Sequence, residues 1–210
     1  MKIKKSFTLI EVVVVLGIIL FALPALFSIV FVVLQQQTKI YRLSRVKQEG
    51  DFALSVISNT IRSSAKSLYR GRDINGNDLA CRNFSSLVLT NSELCAISPS
   101  TSTLGGDYFC LKDKYGSGSV FNFYLNNGIL SSASALLTTP NNSVPLVTDK
   151  VYVTNLSFVC SRTATHSPPL VTVSFDICYN NGVAVPDCNS SRPEETATLH
   201  YQTNIKLTSF

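Results

Sequence analysis

Three groups of residues in this 210-residue chain have the types and spacing to do chemistry. The first is Glu11, the one acid in an otherwise apolar N-terminal stretch. A carboxylate beside hydrocarbon must sit at the headgroup level, take up a proton or meet a cation, because an uncompensated charge there is costly. The cation is the use favoured here. The second group is Cys81, Cys95, Cys110, Cys160, Cys178 and Cys188, an even number with no C-x-x-C pair and all after that stretch. Such spacing suits disulfides in an oxidising compartment better than a zinc site. Many pairings are possible; Cys178 with Cys188, closing a short loop, is the first choice and Cys81 with Cys95 the second. The third group is Asp73, Asn75, Asn77 and Asp78, which alternate oxygens as a calcium loop does. The pattern then fails, with Asp78 where glycine belongs and Phe84 where a bidentate Glu is needed, so Asn75-Gly76 reads as a turn and no metal is expected. His166 and His200 belong to no nucleophile, zinc or phosphate motif, so the chain does not read as an enzyme and implies no cofactor. His200, between Leu199 and Tyr201, is expected on the exposed face of a strand.

From Val12 to Leu34 there is no charged residue. About 20 apolar residues suffice to cross the bilayer core as a helix. A secretory signal peptide would end in a small-residue cleavage site after a shorter apolar run, whereas this run continues to Gln35, Gln36 and Gln37. The span is therefore expected to stay in the membrane.

The string Lys4-Lys5-Ser6-Phe7-Thr8-Leu9-Ile10-Glu11-Val12 resembles the prepilin signature of type IV pilins and of the pseudopilins of type II secretion and competence systems. The resemblance implies that a prepilin peptidase recognises a leader containing Lys4 and Lys5, cuts between Ser6 and Phe7, and methylates the new amine on Phe7. It also implies assembly with other pilin or pseudopilin subunits on an inner membrane platform. Most of the family has glycine at the last leader position; Ser6 keeps a small residue there, and slower cleavage is expected. Independently of the family, an amine on Phe7 stranded beside hydrocarbon would be neutralised by Glu11 of a neighbouring subunit. Such a pair sets register more than it adds stability, since desolvation offsets much of the attraction. The chain is thus similar to a larger minor pilin or pseudopilin, held in the cytoplasmic membrane before joining a filament. The alternative from another class is a membrane-anchored extracytoplasmic receptor or hydrolase whose signal anchor imitates a prepilin.

The elements that must position these groups follow from periodicity. Residues 1–6 form the leader, 7–34 the membrane half of a helix, 35–70 its amphipathic half and 71–210 a disulfide-containing β-rich domain. Leu43, Val46, Ala53, Ile57, Ile61, Ala65 and Leu68 recur at helical steps with a gap at Gly50. They predict a helix from Phe7 to Tyr69, kinked near Pro24 and stopped at Gly71. Ser86 to Thr90, Tyr108 to Lys112, Val120 to Leu125, Lys150 to Ser161, Leu170 to Tyr179 and Thr196 to Leu207 read as strands. Asn126-Asn127-Gly128 reads as a turn towards Ile129 and Leu130, and 131–145 as a loop. The fold class expected is α+β, one antiparallel sheet on a long N-terminal helix. The net charge of +5 includes Lys2, Lys4 and Lys5 before the span and Lys39, Arg42, Arg45 and Lys47 after it, so charge alone does not orient the chain. The cysteines place the domain outside. The later basic residues suit acidic headgroups, a neighbouring subunit or plain solvation. DNA is a partner only if the filament serves competence: Tyr108, Phe109, Phe121 and Tyr124 have no basic run beside them and read as core.

Overall fold

The computed structural model describes residues 8–72, 75, 77–78, 81, 93–95, 100–105, 108–113, 120–134, 143–164, 167–180, 188 and 197–207. The chain divides into two compact units, Met1–Tyr41 and Arg42–Phe210. One helix, α1, spans Leu9–Ser64 and so contributes to both. In the first unit its apolar side chains stand clear of other protein, Phe21 being 86% exposed. The helix is apolar and long enough to cross a membrane. The helical assignment runs on through Pro24. Hydroxyls within or just beyond the apolar run are satisfied internally, Ser28 donating to the Ala25 carbonyl and Thr38 to that of Leu34.

In the second unit Val46, Glu49, Gly50, Ala53, Ile57 and Ile61 form the buried stripe of α1. The helix ends five residues before Tyr69, since Ala65–Arg70 is strand β1. Ala65 and Leu68 keep the helical step of three, which a regular strand would put on opposite faces; a register shift between Ala65 and Ser67 lets β1 bury both. The backbone settles it: β1 pairs with β2 (Glu93–Leu94) on one side and β4 (Phe109–Asp113) on the other. Ser63 and Ser64 stand at the change, Ser63 Oγ approaching the Thr60 carbonyl, and hydroxyls of this kind weaken a helix end. The Gly71 N–H goes to the Tyr108 carbonyl at 2.9 Å, so this glycine follows a strand and does not cap the helix.

Among the described residues ten strands form two antiparallel sheets, where one had been expected. The remaining strands are β3 (Ser100–Gly105), β5 (Val120–Asn126), β6 (Ile129–Ser134), β7 (Val144–Pro145), β8 (Val151–Arg162), β9 (Leu170–Tyr179) and β10 (Thr198–Lys206). The first sheet has the order β2-β1-β4-β5-β6-β7 and the second β10-β9-β8-β3. The segment read as a loop over 131–145 is strand at both ends, in β6 and β7. The proposed strand 86–90 lies outside the described residues.

The strands read from alternation fall where expected, and β8 shows why its pattern changes phase. Val151 and Val153 are buried, then Leu156, Phe158 and Cys160. The parity flips at Asn155, which has φ 53° and sits in a register shift between Thr154 and Ser157. A bulge adds one residue and returns the apolar set to the core. Phe109 on β4 stacks on Phe158 on β8 with ring centroids 4.3 Å apart, joining the two sheets in one core. At the tip of the β5–β6 hairpin Asn127 (φ 48°) and Gly128 (φ 76°) make the left-handed pair of a two-residue turn. The Gly128 carbonyl accepts the Val153 N–H at 2.8 Å, and a Cβ on Gly128 would come within 1.8 Å of the Tyr152 ring.

Candidate functional site

The start of α1 carries the one acid of the apolar stretch, and its local geometry is that of a helix cap. Thr8 precedes the helix and Glu11 lies in its first turn. The Glu11 carboxylate accepts the Thr8 backbone N–H at 2.9 Å and the Thr8 hydroxyl at 3.1 Å. This is half of the reciprocal T-x-x-E arrangement, in which the acid three residues on covers the donor of the capping residue. The Thr8-x-x-Glu11 spacing carries this signal in the sequence, and a reading of Glu11 towards a neighbouring chain passes over it. Ser6, Phe7, Lys4 and Lys5 lie outside the described residues. The arrangement can do two things chemically: cover the Thr8 backbone donor, and present an exposed carboxylate at the start of the helix.

All six cysteines pair, as Cys81–Cys110, Cys95–Cys160 and Cys178–Cys188. The first choice of pairing holds and the second does not. Cys81 and Cys95 are close in sequence, but Cys81 is drawn to Cys110 near the start of β4, whereas Cys95 follows β2 and reaches β8 of the other sheet. Sequence proximity therefore failed where the topology of two sheets decides. Thr198 closes the third loop by donating to the Cys188 carbonyl at 3.1 Å.

Two contacts fix the first turns of the domain part of α1. Glu49, only 8% exposed, accepts the Thr148 N–H at 3.2 Å and the Thr148 hydroxyl at 3.0 Å, and pairs with Arg45 at 2.8 Å. A buried carboxylate needs such partners, since an unpaired one is strongly destabilising. Nearby, the Tyr201 ring lies against Gly50, where a Cβ would come within 2.3 Å of it, and stacks on Phe175. Its hydroxyl donates to the Lys47 carbonyl at 3.1 Å. Burial, then the Asp51 charge, pushes the Tyr201 phenol up to about 12. The gap in the apolar stripe at Gly50 thus marks the seat of an aromatic ring.

His200 is exposed on β10, as read, with one partner the sequence did not indicate: its Nδ1 lies 2.7 Å from the Asp176 carboxylate. Asn155, from the bulge, donates to the other oxygen of Asp176 at 2.7 Å. These two contacts, Asn155 first, hold the Asp176 carboxyl below its ordinary value. In the loop weighed for calcium, Asp78 is taken by the Arg70 guanidinium, with Nε 2.7 Å from one carboxylate oxygen. Among the described residues no group of three or more His, Cys, Asp or Glu could hold a metal ion. His166, Asp73 and Phe84 lie outside the described residues. Of the four aromatics read as core, Phe109 and Tyr124 are buried and Phe121 half-buried, whereas Tyr108, just before β4, is exposed.

Compared with known proteins, the chain matches no family model, no curated protein and no solved structure. A long apolar N-terminal helix whose later turns pack on antiparallel strands is nonetheless a pilin-like architecture.

Proposed function

We propose that the chain is a minor pilin or pseudopilin: a structural subunit that a prepilin peptidase trims before Phe7, and that is assembled into, or primes, a filament of the type IV pilus, type II secretion or competence kind. The observation that carries this is a single helix, Leu9–Ser64, which begins with an exposed apolar run bearing only Glu11 and continues as the core helix of a folded domain. An anchor serving only to tether a receptor or hydrolase has no need for an acid at the start of its apolar run, nor for helical continuity into the domain. In this reading the subunit waits in the cytoplasmic membrane with its disulfide-bonded domain outside. Its partners are the peptidase, the other subunits and an inner membrane platform. Work on the filament comes from a separate motor.

Mass spectrometry of the protein isolated from its own cells tests the proposal. A chain beginning at methylated Phe7 is expected. An intact Met1, or a cut placed after the apolar run, would overturn it in favour of a plain membrane anchor.

A further inference from the structure

Three cations gather where the domain begins, and none is spent on an acid that could be removed from it cheaply. The Arg42 guanidinium lies over the Tyr179 ring, 5.5 Å from its centroid, a contact that leaves its charge intact. Arg45 answers the buried Glu49 yet keeps 35% of its side chain in solvent. Lys150 is exposed. The third cation is brought to the helix by the same acid. Glu49 binds Thr148, two residues before Lys150, and Asn180 fastens that loop to the end of β9 through the Lys150 and Asp149 carbonyls, at 2.9 Å each. Asp149 is the exposed acid on this loop. With both Glu49 oxygens occupied, the acid serves as a post on which helix and loop are mounted, and the guanidinium and ammonium groups remain at one end of the domain.

Arg42 lies only eight residues after Leu34, the end of the charge-free run. A cationic end with half-buried Tyr179 among its residues has the charge to meet anionic lipid headgroups where the run enters the membrane. We propose that this end of the domain, through Arg42, Arg45 and Lys150, docks on anionic phospholipid and so holds the stored subunit in a fixed orientation before assembly. The proposal rests on the membrane reading of residues 12–34. Each cation brought against an anionic leaflet strengthens docking about fivefold.

The test is hydrogen exchange of the full chain in lipid nanodiscs, loaded with one or with several chains per disc, of phosphatidylcholine alone or mixed with phosphatidylglycerol. Amides of 42–50, 148–150 and 179–180 should exchange several-fold more slowly in the mixed discs, with the difference lost at high salt. The double variant Arg42→Gln, Lys150→Gln should lose the difference while matching the parent chain in phosphatidylcholine. Equal exchange in both lipids by a chain that co-floats with vesicles would overturn the docking and leave the membrane span standing. A chain that does not co-float would remove both. Slowing that follows the number of chains per disc, and not lipid charge, would overturn it in favour of a protein neighbour, and a variant altered equally in both lipids would reduce the cations to a structural role.

Discussion

Glu11 has two claims on it, and single substitutions separate them. As a cap it serves its own chain by accepting from Thr8; as an assembly residue it serves the amine of a neighbour. Thr8→Val deletes the hydroxyl contact and leaves the charge, whereas Glu11→Gln keeps an acceptor and removes the charge. If the charge is what assembly needs, Glu11→Gln should insert and lose its leader normally yet be absent from sheared filaments, and Thr8→Val should be incorporated. Equal loss in both variants would reduce Glu11 to a cap. Tyr201 offers a second test by titration. Its folded value, about 12, lies above the ordinary 10.0, so the folded state favours the neutral phenol. The stability this contributes is whole below pH 10 and is lost as pH rises towards 12. An absorbance titration should show one tyrosine ionising last, absent in Tyr201→Phe, and that variant should resist alkaline unfolding relative to its own stability at neutral pH.

At the scale of elements, the seam between α1 and β10 depends on an atom that is missing. A methyl on Gly50 would meet the Tyr201 ring, which cannot simply swing away because it stacks on Phe175 at 5.3 Å and is tethered at its hydroxyl. Gly50→Ala is expected to destabilise the domain by about 1–3 kcal/mol, the usual cost of overpacking, and Gly50→Val by more. Thermal unfolding followed by circular dichroism would measure it, and Tyr201→Ala in the same chain should relieve part of the added strain. The gap at Gly50 was visible in the sequence, but its meaning was not, since the partner lies 151 residues later. The same holds along the chain. Alternation made β8, β9 and β10 legible because each buries one face. β2 has two residues and β3 is a Ser/Thr run, so neither carries a period to read. The end of α1 is not legible because Ala65 and Leu68 keep a helical step, and the irregularity that lets a strand bury both depends on pairing with β4, far away in sequence.

For the molecule as a whole, the disulfides show what composition can and cannot tell. That all six cysteines would pair followed from their number and placement; which pairs form depends on the existence of two sheets. Cys95–Cys160 bridges the end of β2, in the first sheet, to β8, in the second, across 65 residues of sequence. Cys178–Cys188 closes only 10. In the chain-entropy account a loop of the larger size restrains the unfolded chain by about 4 kcal/mol and one of the smaller size by about 3 kcal/mol. Restraint of the unfolded chain alone therefore favours the longer bridge by about 1–2 kcal/mol. Their positions widen the gap, because the larger loop contains β4, β5 and β6, whose Phe109 and Phe123 fill the shared core, whereas the smaller ties the end of β9 to Cys188. Replacing both members of Cys95–Cys160 by Ala should therefore lower the thermal midpoint of the oxidised full-length protein more than replacing both members of Cys178–Cys188. Peptide mapping without reductant should still recover the two remaining native linkages in each variant. A smaller loss for Cys95–Cys160 would mean that the sheets are held together by the Phe109–Phe158 stack and its neighbours, with the bridge merely following them.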